Sequence, residues 1–272
     1  MIQSIFDLAR GCLDACDPDE KIALTNAASA AWQAGECALD ATVEAEPIPD
    51  PGRPARPLLV RPRELQQRKP TTVEGRAILF HALVHIEFNA INLGWDAVYR
   101  FRDMPNDYYS DWIQIAFEEA YHFGLLRDHL RTLGYEYGDF PAHNGLWEMA
   151  EETSYDVLAR MALVPRCLEA RGLDVSPGIK AKLLKVGDSE GAALLDIILR
   201  DEIGHVGVGN RWFHYLCSER ALDSEQQFDA LLERHMKGQI RGPFHREARL
   251  EAGFTVEELD YLEGVGGTLR PR

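Results

Sequence analysis

Apolar positions along the chain recur mostly at spacings of three and four, and no window sustains an alternation of period two. That pattern predicts helices. Residues 2–16 and roughly 20–44 read as two N-terminal helices, divided at Asp17-Pro18-Asp19. A long helix is expected from a capping box at Thr71 and Glu74, just behind Pro70, to about Phe101. Asp103-Met104-Pro105-Asn106 interrupts, and a second long helix should follow to about Leu133, stopped by Gly134. Residues 135–143 read as a loop. Asn144 can cap a third helix that runs to Arg171 and ends at Gly172. Ser176-Pro177 then opens a short helix that Gly187 closes. A fourth long helix covers about 189–218, and Asp223 caps another up to Gly238. The final stretch, GVGGTLRPR, reads as a mobile tail.

One segment breaks this texture. Seven of the fourteen prolines lie between Pro47 and Pro70, together with Arg53, Arg56, Arg61, Arg63 and Arg68. Such a segment cannot be helical and should run extended. A strap laid over the body is favoured over a flexible linker, because Leu58-Leu59-Val60 offers apolar surface to bury. The expected architecture is therefore all-α. Residues 1–70 form an N-terminal helical extension and proline-rich strap, 71–220 a four-helix bundle, and 221–272 a C-terminal helical extension and tail.

Composition narrows the class. An apolar share of 46% and a charged share of 27% are those of an ordinary globular protein. No apolar run is read as long enough to cross a bilayer, and the N-terminus turns acidic quickly without a basic leader, so a cytoplasmic location is expected. The five cysteines (Cys12, Cys16, Cys37, Cys167, Cys217) are odd in number, which argues against a disulfide framework and for buried or idle thiols. A formal net charge of −15 disfavours nucleic acid and anionic membrane surfaces as partners.

The candidate chemistry sits in two repeated motifs. Glu119 and His122 in IAFEEAYHFGLL, and Glu202 and His205 in IILRDEIGHVGV, are each three residues apart, so each pair projects from one helix face. Ile115, Phe123 and Leu126 share the first face, and Leu195, Ile198 and Val206 the second. Buried carboxylates are costly without compensation, and a pair of divalent metals supplies it. A bundle site of this kind asks for one further glutamate on each remaining helix. Glu87, among Leu83, Val84, Ala90 and Ile91, and Glu169, beside Leu158, Ala162 and Pro165, answer that need. Glu87 to Glu119 spans 32 residues and Glu169 to Glu202 spans 33, so two hairpins of nearly equal length would bring the ligands to one level. Glu151 and Glu152 rival Glu169 but lie too early on the third helix.

Four carboxylates and two imidazoles suit iron or manganese rather than a thiolate-loving metal. Two ferrous ions would balance the four glutamate charges. Asp201 and Glu118, each preceding a ligand, and Tyr155, on the Glu169 face, are expected to support the ligands from behind, the two acids by accepting the free ring N–H of a ligand histidine. Tyr121 is a further lining candidate. Pro165 can kink the third helix near Glu169, and Gly204, Gly207 and Gly209 crowd the fourth around His205, either for close packing or to leave room for a substrate. His81 and His85 lie off the Glu87 face and read as structural.

At these residues the chain resembles the ferritin-like superfamily, whose di-iron ligand order is Glu, Glu-x-x-His, Glu, Glu-x-x-His. The resemblance covers about residues 71–218. The stretches RDEIGHVGVGNRWF and LEARGLDVSPGI look closest to a bacterial group of ferritin-like proteins of unknown function, itself similar to tRNA-modifying di-iron monooxygenases and, more distantly, to demethoxyubiquinone hydroxylases. What the resemblance implies is a left-handed four-helix bundle holding two iron ions, with manganese or mixed iron and manganese as variants. The implied activity is that of an oxidoreductase, an oxidase or hydroxylase that uses dioxygen; the net charge speaks against tRNA and the lack of an exposed amphipathic basic helix against a membrane quinone, so a small soluble substrate remains by elimination. Iron handling by a ferroxidase or peroxide scavenger, and an interaction protein whose metals only staple the bundle, are the competing classes. A homodimer is the oligomer to test.

Overall fold

The computed structural model describes residues 3–39, 44–65, 68–237, 240 and 242–264. The terminal stretch 265–272, read above as a tail, and Gly238, read as a helix end, lie outside the described residues. The fold is all-α: among the described residues the only strands are two residues long. The chain divides into two compact units, residues 1–154 and 155–272.

In the first unit β1 (Gln3–Ser4) leads into α1 (Ile5–Asp14), followed by α2 (Pro18–Gln33) and β2 (Cys37–Ala38), which pairs in parallel with β1. The second helix is therefore shorter than its apolar pattern suggests. Gly35 takes a left-handed φ of 70°, and the chain turns out of the helix to pair Cys37 with Gln3. Asp17 caps α2 by accepting from the Asp19 and Glu20 amides, as its place before Pro18 predicts. Lys21 is fully buried and donates to the Cys12 and Leu13 carbonyls at 2.6 and 3.3 Å, closing the C-terminal end of α1.

Two long helices dominate this unit, α3 (Val73–Arg100) and α4 (Asn106–Thr132). The cap of α3 is Thr72, whose hydroxyl accepts from the Gly75 amide at 3.0 Å. No capping box forms at Thr71, because Glu74 turns to Arg68 instead. The predicted stop at Gly134 is met, with φ at 86°. The two helices approach closely at Gly94, where an added Cβ would lie 2.9 Å from the Ala116 Cβ. Contrary to the absence of a membrane-length run inferred above, α3 is long and apolar enough to span a bilayer, but 72% of its most apolar window is buried inside the protein. Its buried face also carries His81, His85, Asn89 and Asp96, a hydrogen-bonded polar load that suits a protein interior better than lipid.

Among its described residues the proline-rich segment is non-helical apart from a single 3-10 turn at Pro62–Glu64, with extended backbone on either side of that turn. Ile48, Pro51 and Pro57 are buried and Leu59 and Val60 half-buried, whereas Leu58 is 67% exposed, so only part of the Leu58-Leu59-Val60 run is covered. Its backbone bonds add to this: Val60 donates to the Ala142 carbonyl, Ala142 to that of Leu58, and the Trp147 indole to that of Pro49. Gly52 donates to Leu13 at the end of α1, an approach so close that a Cβ there would lie 2.2 Å from the Asp14 carbonyl oxygen. A short helix, α5 (Gly145–Glu152), completes the unit. Asn144 precedes it without capping it through its side chain; His143 Nδ1 accepts from the Gly145 amide instead.

The third helix expected from 144 to 171 is not continuous. It breaks over residues 153–156, and a new N-cap, Asp156, starts α6 (Val157–Leu163) in the second unit. A π-helical turn, Val164–Glu169, joins it to α7 (Ala170–Lys185). The helix does not stop at Gly172, and Ser176-Pro177 opens nothing: Pro177 lies inside α7, where the Ser176 hydroxyl bonds the Gly172 carbonyl. Gly187, at φ 80°, turns the chain into α8 (Ser189–Glu219), capped by Asp188. Then follow α9 (Ser224–Met236), capped by Asp223, α10 (Arg246–Glu251) and α11 (Val256–Glu263). Ala170, Leu173, Val206, Ala248, Ala252, Phe254 and Leu259 form a continuous apolar cluster that binds α7, α8 and the C-terminal helices together.

Candidate metal centre

In the first unit the helical periodicity does most of the positioning. Glu119 and His122 lie one turn apart on α4 and are both fully buried. His122 Nδ1 sits 3.2 Å from Glu119 Oε2. Glu87 reaches the same place from α3 and is 4% exposed. A ligand atom from each of Glu87, Glu119 and His122 lies within 4.8 Å of the others. Two carboxylates and an imidazole brought so close inside a protein are a costly arrangement unless a cation shares them.

The flanking residues fix that arrangement. Phe88 and Phe123, each next in sequence to a candidate ligand, meet in a tilted contact, and Tyr137 packs tilted on Phe88 and edge-on to Phe123. On the face of α3 that Phe88 shares, away from Glu87, His85 lies 2.9 Å from the Tyr137 hydroxyl and 3.0 Å from the His143 carbonyl, and His81 Nε2 accepts from the Gly138 amide at 3.0 Å. Burial holds both imidazoles down to about 4, so they are neutral structural groups, as their position off the ligand face implied.

In the second unit Glu202 and His205 repeat the one-turn spacing on α8, with His205 Nδ1 3.6 Å from Glu202 Oε1. Both are buried. Glu169 closes the π turn and is half-buried. Its rivals Glu151 and Glu152 are exposed at the end of α5, in the other unit. The level of Glu169 is set by a contact on α8: an added Cβ on Gly209 would lie 2.3 Å from the Pro165 Cβ. From that contact one turn forward along the chain leads to Glu169, and one turn back along α8 leads to His205. Gly209 is thus needed for close packing. Gly204 faces open space, and Gly207 has only ordinary contacts with Ala252.

The supporting residues named from sequence are placed as follows. Asp201 is bonded by its neighbour Arg200 at 2.8 Å, and Glu118 accepts from Gln114 at 2.7 Å. Tyr155 lies in the break before α6, 53% exposed; its hydroxyl meets His235 at 3.2 Å and its ring stacks on that histidine. The break explains the difference, since a continuous helix is what would have put Tyr155 on the Glu169 face. Tyr121 is 52% exposed. All five cysteines are free thiols, and none belongs to the buried Glu/His group.

Residues 14–260 match the family described as "Protein of unknown function (DUF455)". The chain belongs to that family. A Haemophilus influenzae protein (strain ATCC 51907 / DSM 11121 / KW20 / Rd), described as uncharacterized, is 49% identical over 224 residues, which cover 80% of this chain and 78% of that protein. No solved structure matches the chain.

Sequence reasoning missed one device in this DUF455 protein, the π turn. Pro165 has no amide hydrogen to give an α-helical ladder, and the wider turn accommodates the loss. The Cys167 thiol donates to the Ala162 carbonyl at 3.2 Å, so this cysteine is part of the turn rather than idle. The sequence signal was a proline inside an apolar helical run four residues ahead of a glutamate.

Proposed function

We propose that Glu87, Glu119, His122, Glu169, Glu202 and His205 together hold two metal ions within a ferritin-like four-helix bundle over 71–220, and that the protein is an oxygen-dependent oxidoreductase. The observation that carries this reading is the buried group of Glu87, Glu119 and His122, whose ligand atoms lie within 4.8 Å of one another. The second half supplies the same donor types in the same order. Hard oxygen donors with one imidazole per half fit iron, manganese or one ion of each. Bound there, such ions would supply one-electron chemistry toward dioxygen. The chain's own part is to keep the carboxylates dry, to hold the imidazole beside Glu119, and to keep competing thiols out of the ligand set. A small uncharged or cationic soluble substrate fits the net charge of −15 better than nucleic acid does.

The test is anaerobic loading with ferrous iron followed by admission of oxygen. The wild-type protein should develop near-ultraviolet absorption as the iron oxidises, and Glu119→Ala should not. Identical behaviour of the two proteins would overturn the proposal. A large thermal shift on loading with no response to oxygen would favour a purely structural metal.

A further inference from the structure

The π turn that carries Glu169 lacks one backbone donor at Pro165 and departs from the α-helical hydrogen-bond ladder. It needs an external hold, and Arg166 provides the contacts for one. This side chain is fully buried, three residues before Glu169. Its guanidinium carbon lies 4.4 Å from the Phe213 ring centre, 4.5 Å from that of Phe228 and 5.0 Å from that of Phe254. One nitrogen donates to Glu258 Oε1 at 2.5 Å, and another lies 3.3 Å from His214 Nε2. Those partners stand on α8, on α9, between α10 and α11, and on α11, so one arginine ties the turn to four places in its unit.

We propose that Arg166 is the positioning residue for Glu169, and that the C-terminal helices serve the metal centre through it; this rests on the metal reading above. A buried ion pair is a poor device for stability alone, because a well-packed apolar pair of similar volume often does as well or better. What apolar side chains cannot supply is direction. The planar guanidinium, set among three rings with one nitrogen on Glu258 and another beside His214, admits a single orientation and fixes the backbone of residue 166 accordingly. Glu258 is fixed in turn, since its other oxygen accepts from the Thr255 amide at 2.9 Å in the α11 capping box.

The decisive variant is Arg166→Met with Glu258→Gln, which removes the pair without stranding a buried charge and leaves the capping box an acceptor. Full-length protein is titrated with cobalt(II), reading affinity against a chromophoric chelator and the visible absorption of the bound ion. Wild type should take two equivalents. The double variant, with native helicity, should weaken one of them at least tenfold and alter its absorption, and on a Glu169→Gln background it should change nothing further. Hydrogen exchange of the metal-free proteins is read in parallel, where the variant should expose the amides of residues 167–170. Unchanged exchange, or two wild-type equivalents of cobalt, would overturn the proposal. If wild type takes no cobalt at all the metal reading fails, and faster exchange would still show Arg166 holding the turn. Should the double variant not fold, Arg166→Lys, which keeps the charge but not the planar fork, replaces it and should show the same changes in smaller measure.

Discussion

The two hairpins that carry the candidate ligands offer the same donor types on backbones of different kinds. In the first unit α3 and α4 are uninterrupted, and the ligands follow from helical periodicity plus one close contact, Gly94 on Ala116. In the second, the α6–α7 arm is broken by the π turn, and Glu169 owes its level to Pro165 against Gly209 and to a buried arginine held by helices far along the chain. The first half is a local structure; the second is a tertiary one. Remote substitutions should therefore damage the second half and spare the first.

Arg249→Met should have the largest effect. Arg249 and Asp174 are both fully buried and joined by two bonds of 2.9 Å, Nε to Oδ1 and a terminal nitrogen to Oδ2, while Arg171 stands 3.7 Å off and exposed. Loss of this partner, which leaves Asp174 only the His245 amide and the half-exposed Arg171, should cost about 3–5 kcal/mol in urea unfolding. Exchange protection should fall in residues 155–264 and hold on α3 and α4; equal loss in both units would break the comparison.

Gly209→Ala comes next, at about 3 kcal/mol, because the new Cβ meets a rigid proline ring and backbone-bound atoms. Gly94→Ala meets the Ala116 Cβ at 2.9 Å and should cost about 1–2 kcal/mol. Equal costs would mean that the second hairpin has no tighter constraint than the first.

Acid should act on the first unit through His81. Its folded value is pushed from 6.5 down to about 4 by burial, so the unfolded chain takes up the proton first. The contribution of His81 is present above about 6.5 and is lost as the pH falls from there toward 4. Protonation also removes the acceptor for the Gly138 amide. His81→Gln, which keeps an acceptor, should flatten this part of the stability profile; an unchanged profile would contradict the assignment. The smallest effects are at the caps: Thr72→Ala on α3 and Asp188→Ala on α8 should each cost about 1 kcal/mol.

Much of the first half was legible in the sequence for the reason just given. The i, i+3 pair at Glu119 and His122, the bounds of α3 and α4, and the stop at Gly134 are written in residues close together in the chain. The same held for α8 and its Glu202–His205 pair. The break at residues 153–156, the π turn and the passage of α7 through Pro177 were not legible, because tertiary packing overrides propensity there. The role of Arg166 depends on Phe213, Phe228, Phe254 and Glu258, which no local window contains. Tyr155 was misplaced for the same cause, since its predicted face assumed a helix that the chain interrupts.

The most direct test of the central claim is the number of ferrous ions bound under anaerobic conditions by wild type, Glu87→Gln and Glu202→Gln, with helicity checked for each. Two ions per wild-type chain and fewer in each variant are expected, one variant acting from each half. No binding by wild type, or two ions in both variants, would contradict it.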